Sequence, residues 1–126
     1  MSRFSAMGLS AALALSFNVR AQPADAAAGK VLFDRTCANC HSVEVGVNKV
    51  GPTLFDIVDR RVASVQGFDY SNKMREIGKR HKTWSEHELD AYLTNPRVVL
   101  HGVKMFFAVP DAKDRANVIA YLSTLK

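Results

Sequence analysis

The clearest periodicity in the chain lies near its C-terminus, where Val118, Ile119, Tyr121, Leu122 and Leu125 fall at helical spacing and form one apolar stripe. Asp111, directly after Pro110, is placed to cap that helix. Further back, Ser85 and Glu88 form the two ends of a capping box, and the helix they start runs to about Asn95. Pro96 stops it and opens another short helix, which Gly102 breaks. Ala26 to Asn39 reads as a helix with Val31, Leu32 and Phe33 on its apolar face, and Asn72 to Gly78 as a short helix ended by its glycine. Between them, residues 42–70 carry Gly46, Gly51, Pro52 and Gly67 and only short apolar runs. They read as loop, with one turn of helix near Leu54 to Val58. No segment alternates like a strand. The pattern predicts an all-α domain of four or five short helices, with loops long enough to need something to pack against.

The first 21 residues stand apart. Arg3 supplies a basic start and Ala6 to Leu15 a short apolar run, and Val19 and Ala21 fit a cleavage site that leaves Gln22 as the new N-terminus. This is the layout of a secretory signal peptide. A retained anchor needs about 20 apolar residues, and this run is shorter and interrupted by Ser16, Asn18 and Arg20. The expected organisation is therefore a signal peptide at 1–21, a short leader at 22–28 and one domain at 29–126.

Composition narrows the function. The formal charge of the 126-residue chain is +5, and removing Arg3 and Arg20 leaves +3 on residues 22–126. That mild excess suits docking to acidic partners. The basic residues form no single-face run with interleaved aromatics, so nucleic acid is not an expected partner. A domain this small gains only marginal stability from its own apolar core, so a disulfide, a metal or a large apolar cofactor is expected.

Cys37-Ala38-Asn39-Cys40-His41 is a C-x-x-C-H pattern, the signature of covalent haem attachment. At the end of a helix, positions i, i+3 and i+4 share one face. Two thiols can then add to the two haem vinyl groups while the imidazole sits beneath the iron. A thiol–disulfide oxidoreductase site usually opens a helix after a strand, and this chain has no strand pattern. Zinc would need more Cys or His at close spacing, and a disulfide three residues apart would close a very small loop. For the iron's far side Met105 is the favoured ligand, because Lys104-Met105-Phe106-Phe107 follows the break at Gly102 late in the chain. His101, on the same loop, and His87 and His81 are rival ligands, and packing beside two phenylalanines is the plainer role for Met105.

From Gly29 to Lys126 the chain resembles the class I c-type cytochromes, the mitochondrial carrier and its bacterial relatives. The landmarks occur in order: Gly29 and Phe33, Cys37 to His41, Gly51-Pro52, Arg60, Gly67 to Tyr70, Trp84, Tyr92-Leu93, Asn95-Pro96, Lys104-Met105, Phe107, and Ile119 to Leu122. The resemblance implies a cytochrome c fold around one haem c, with His41 and Met105 on the iron. It implies that the Pro52 carbonyl accepts from the His41 ring. Tyr92 should bond near the Met105 sulfur, Tyr70 and Trp84 should bond the haem propionates, and Arg60 should offset their charge. Phe107 should cover the haem edge, and Gly29, Phe33 and Tyr121 should form the crossing of the first and last helices.

This chain departs from many relatives in having His101-Gly102 where they have Pro-Gly, which makes the methionine loop less rigid. Lys49, Arg35, Arg97 and Lys104 fall where lysines ring the haem edge, but Val98, Asp111 and Ala112 stand at positions where lysines are common. The segment Asn72 to Lys82 is longer and rich in Lys and Arg. Function follows from the ligands: with both axial positions filled there is no open site for a substrate. The expected protein is a soluble carrier, not an enzyme, that shuttles single electrons between membrane or soluble redox complexes. A monomer in the periplasm is expected, with the mitochondrial intermembrane space the second choice. The rivals are a haem enzyme or gas sensor whose sixth ligand leaves, and a dedicated subunit of one oxidoreductase.

Overall fold

A computed structural model describes residues 22–126, so the segment read as a signal peptide lies outside the described residues. Five α-helices follow in order: α1 (Ala26–Arg35), α2 (Asn72–Lys79), α3 (Glu86–Thr94), α4 (Pro96–Val99) and α5 (Ala112–Ser123). A 3-10 turn at Cys37–Asn39 follows α1. Among the described residues the only extended pairing is an isolated bridge between Arg61 and Thr83. The domain is all-α.

Each long helix begins on a side-chain cap that takes up amides with no partner inside the helix. Asp25 accepts from the amides of Ala27 and Ala28 at 2.9 and 3.1 Å, and Asp111 accepts from Asp114 at 2.9 Å. Ser71 and Ser85 accept from Met74 and Glu88, each at 3.1 Å. The Ser85 capping box is half formed, since the Glu88 carboxylate lies 3.9 Å from the Lys82 ammonium.

Three sequence expectations need correction. The first helix does not run through to Asn39. Thr36 leaves helical geometry at φ −128°, ψ −60°, and its hydroxyl donates to the Leu32 carbonyl at 2.7 Å. Such back-bonding competes with the helix ladder. No helical turn forms near Leu54 to Val58 either, because Asp56 and Asp59 adopt positive φ of 53° and 65° and the chain makes successive turns. Gly78 does not end α2, which continues to Lys79. It is buried because α2 presses on the preceding loop there, and a Cβ would lie 2.6 Å from the Val62 carbonyl oxygen.

The core gathers Phe33 of α1, Leu89 and Leu93 of α3, and Val118, Ile119 and Leu122 of α5, with Ile57, Val58 and Val109 from the loops. Its centre is the crossing of α1 and α5, where the rings of Phe33 and Tyr121 lie 5.5 Å apart, centroid to centroid. Gly29 makes the crossing possible, since a Cβ there would stand 1.9 Å from the Asn117 carbonyl oxygen. The buried Asn117 side chain accepts the Asp25 amide at 2.8 Å, fastening the start of α1 to the middle of α5. Arg115 joins α5 to α3 through Asp90 at 2.8 Å and donates to the carbonyls of Val109 and Pro110.

Gly29→Ala tests this crossing. Overpacking against backbone costs about 1–3 kcal/mol and outweighs the gain of up to about 1 kcal/mol that alanine brings to a helix interior. Chemical denaturation should show a lower midpoint at constant slope. An unchanged midpoint would show that the crossing tolerates a methyl group and that the argument is wrong.

Candidate haem-binding site

The end of α1 delivers Cys37, Cys40 and His41 together. The amides of Cys40 and His41 both donate to the Cys37 carbonyl, at 3.0 and 2.9 Å, so the 3-10 turn keeps all three on one short arc. The two sulfurs are not bonded to one another, and both cysteines are half-buried. Burial pushes the Cys37 thiol above its ordinary pKa, opposed in part by the Thr36 hydroxyl. A disulfide exchanger needs the opposite shift.

His41 is held in one tautomer. Its Nδ1 lies 2.7 Å from the Pro52 carbonyl oxygen, so the proton sits on Nδ1 and the Nε2 lone pair is left for a ligand. Burial lowers the ring's pKa, against the opposing pull of the Pro52 carbonyl, and this favours neutral imidazole. Gly51 lies flat against the ring, where a Cβ would stand 2.2 Å from Cε1. Its amide donates to the Cys40 carbonyl at 2.7 Å and closes the loop around the histidine. Lys49 adds a contact that the sequence reading missed, donating to the Ala38 carbonyl inside the C-x-x-C segment.

Arg60, Tyr70, Trp84 and Tyr92 form a second group. Arg60 donates to the carbonyls of Phe55 and Thr53 at 2.7 and 2.9 Å, while its Nε is buried without a partner. Burial lowers its pKa, and the nearby Tyr70 and Asp56 work the other way. The Trp84 amide donates to the Arg60 carbonyl at 2.8 Å, and the Tyr70 hydroxyl accepts from the Val65 amide at 3.1 Å. Tyr92 is buried with its ring centroid 5.0 Å from that of Trp84, and burial pushes its hydroxyl up to about 12. No hydrogen bond from Tyr92 to the Met105 sulfur occurs among the described residues.

Met105 is half-buried and packs on the same core as Cys37, Ala38, Leu54 and Trp84, while His81, His87 and His101 are exposed. Phe107 is 40% exposed, and its neighbour Phe106 reaches 75% with the Arg97 guanidinium 6.0 Å above its ring. The site therefore offers two adjacent thiols, an imidazole with a free Nε2, a half-buried thioether, and a buried guanidinium nitrogen in want of an acceptor. A porphyrin with two vinyl groups, an iron and two carboxylates matches each of these. Among the described residues no three of His, Cys, Asp and Glu converge as ligands for a bare metal ion.

Comparison with known proteins agrees with that chemistry. The family model for cytochrome c matches residues 26–126. A Rhodobacter capsulatus protein, cytochrome c-type cyt cy, is 46% identical over 103 residues, covering 80% of this chain and 49% of its own length. This chain thus spans about half of that relative. Cytochrome c2 iso-2 of Magnetospirillum molischianum is 42% identical over 104 residues, covering 82% of this chain and 100% of the relative. The solved structure of cytochrome c2 from Rhodospirillum centenum superposes with a TM-score of 0.75 at 31% identity, covering 81% of this chain and 98% of that one. The chain belongs to the cytochrome c family, electron carriers built around one covalently attached haem c.

Proposed function

We propose that Cys37 and Cys40 hold the haem through two thioethers, that His41 Nε2 and the Met105 sulfur take the iron's two axial positions, and that this chain acts as a carrier without catalysis of its own. The observation that carries the reading is the 2.7 Å bond from His41 Nδ1 to the Pro52 carbonyl, which presents Nε2 beside two unpaired cysteines. When bound, the haem supplies a one-electron centre. The protein's residues do the rest. Pro52 and Gly51 fix the His41 ring, so the ligand does not swing when the charge on its partner changes. Arg60, with its unpartnered Nε, offsets the propionates, and Tyr70 and Trp84 stand beside it to bond them. Tyr92 and Trp84 exclude water from the methionine side, which keeps reorganisation small.

Phe107, with Phe106 beside it, marks the exposed edge where a redox complex docks. Among the basic residues expected there, Lys104 is paired with Asp69, while Lys49 bonds a neutral carbonyl and keeps its charge, so steering rests mainly on Arg35, Lys49 and Arg97. Residues 1–21 direct export to the periplasm and are cleaved there, and the domain works as a monomer. No helix among the described residues is long and apolar enough to cross a membrane.

Visible spectra of the exported protein test the ligand set. The reduced form should show c-type bands, and the ferric form the weak long-wavelength band of methionine sulfur on iron. Met105→Ala should abolish that band. Within the roughly 0.8 V range that axial ligands command, its potential should fall by on the order of 100 mV or more. The double change Cys37→Ser with Cys40→Ser should release the haem to acidified solvent. A wild-type ferric spectrum without the methionine band would remove Met105 and bring His101 forward.

Ionic strength tests the docking face. With three rim cations left to steer, reduction by a redox partner should slow by about two- to fivefold as salt screens the surface. A rate independent of salt would remove the steering role of Arg35, Lys49 and Arg97.

A further inference from the structure

The segment carrying Met105 has little to hold it in place. Among the described residues, one backbone hydrogen bond is donated between residues 101 and 108, from the Val103 amide to the Leu100 carbonyl, and at 3.4 Å it is long. Gly102 stands at a φ of +89° and no proline stiffens the stretch. The loop does sink one side chain, Val103, into the interior. Its side-chain hydrogen bonds to the rest of the chain, again among the described residues, come from one residue. The Lys104 ammonium donates to the Asp69 carbonyl oxygen at 3.0 Å and to its Oδ2 at 3.2 Å.

Asp69 is itself held from the other side. Arg75 on α2 donates to Asp69 Oδ1 at 3.1 Å, to the Tyr70 carbonyl, and to Asn72 Oδ1 at 2.6 Å. The two carboxylate oxygens are thus divided, one to α2 and one to the methionine loop. Gly102 packs near α2 as well, its Cβ position lying 3.7 Å from that of Lys73. Hydrogen bonds from Lys104 and then Arg75 hold the Asp69 carboxyl below its usual range, so it is charged at neutral pH.

We propose that Asp69 is a positioning residue for the axial methionine, a bridge through which α2 braces the Met105 loop by way of Lys104. The proposal rests on the reading of Met105 as the sixth ligand. Lys104 adjoins Met105 directly, so an excursion that carries the loop backbone away together with the sulfur stretches or breaks the bond to Asp69. Without the carboxylate the loop opens more often, and an external ligand finds the iron's sixth position accessible for a larger fraction of the time. The bridge is exposed, so its effect is that of a surface pair, sensitive to salt and a few-fold in size.

The test uses the ferric holoprotein and neutral imidazole, which binds only where the methionine has left. Titration is followed by loss of the methionine-sulfur band, in the wild type, Asp69→Ala, Asp69→Asn and Arg75→Ala. Asp69→Ala should bind imidazole about two- to fivefold more tightly, at the strength expected for an exposed pair. Both variants keep the bond to the backbone carbonyl, but Asp69→Asn also keeps the side-chain shape and one neutral acceptor oxygen, and should fall between Asp69→Ala and the wild type. Arg75→Ala should show a smaller gain than Asp69→Ala. Added salt should tighten imidazole binding to the wild type but leave Asp69→Ala unchanged, a response that a simple loss of stability would not produce. Equal affinities with equal salt responses would overturn the brace while leaving Met105 as the ligand. Absence of the methionine band in the wild type would overturn the ligand reading itself, and the brace with it.

Discussion

The close approach of α1 to α5 at Gly29 sets the position of everything that follows. The Gly29 backbone meets the carbonyl of Asn117 with no room for a methyl group, and the Asn117 side chain takes the amide of Asp25 at the start of the same helix. One helix is thereby fixed at its N-terminal end and at its third turn, where Phe33 meets Tyr121. Its C-terminal end then has a single place to go, and that end carries Cys37, Cys40 and His41. The candidate attachment site is therefore positioned by contacts made one to two helical turns before it, at Phe33 and Gly29.

Away from that crossing the fold is made mostly of loops, and their polar backbone has to be satisfied without regular structure. Side chains do much of this work. Thr53 donates to the Glu44 carbonyl at 2.6 Å, Asn48 accepts the Thr53 amide at 2.9 Å, and Arg60 serves two carbonyls of the loop that encloses it. Among the described residues the one buried side-chain nitrogen left without a partner is Arg60 Nε, on a residue whose carbonyl accepts the Trp84 amide and whose guanidinium feels Tyr70. An unpaired buried donor costs free energy comparable to a lost hydrogen bond. Its presence in a group of side chains that suits a carboxylate-bearing cofactor is what a chain built to fold around its cofactor would leave.

Much of the candidate site was legible in the sequence because haem attachment and ligation would demand particular residue types at particular spacings. Cys37, Cys40 and His41 are one such set, and the resemblance to class I cytochromes supplied Pro52, whose bond to His41 is formed. The helices at Ser85 and Asp111 were legible for a similar reason, since their caps depend on side-chain chemistry next to an apolar period. What escaped depends on partners distant in sequence. Nothing local marks Asn117 as buried: it breaks the apolar stripe of α5 and is explained only by Asp25, 92 residues away. The left-handed turns at Asp56 and Asp59 were equally hidden, because a short apolar run at helical spacing reads the same whether or not φ changes sign. Asp69 reads as an ordinary exposed acid until Lys104 is seen above it.

The two candidate axial ligands are supported in different ways, and the difference suits a carrier. His41 lies within a closed set of short-range bonds: its own amide to Cys37, the Gly51 amide to Cys40, and its ring to Pro52. Each joins residues at most eleven apart in sequence, so the histidine side keeps its geometry unless the loop as a whole unfolds. Met105 is placed by a loop with little internal bonding and an exposed tether to Asp69, 35 residues from Lys104. A thioether is a weak, neutral ligand and gains nothing from a proton-fixing partner of the Pro52 kind, so its side must be held by packing and by the anchoring of its loop. Local stability follows the density of such contacts. With a haem held as proposed, the histidine side would be the fixed reference for the iron, and the methionine side would be where sequence changes at a distance tune how firmly the sixth position is closed.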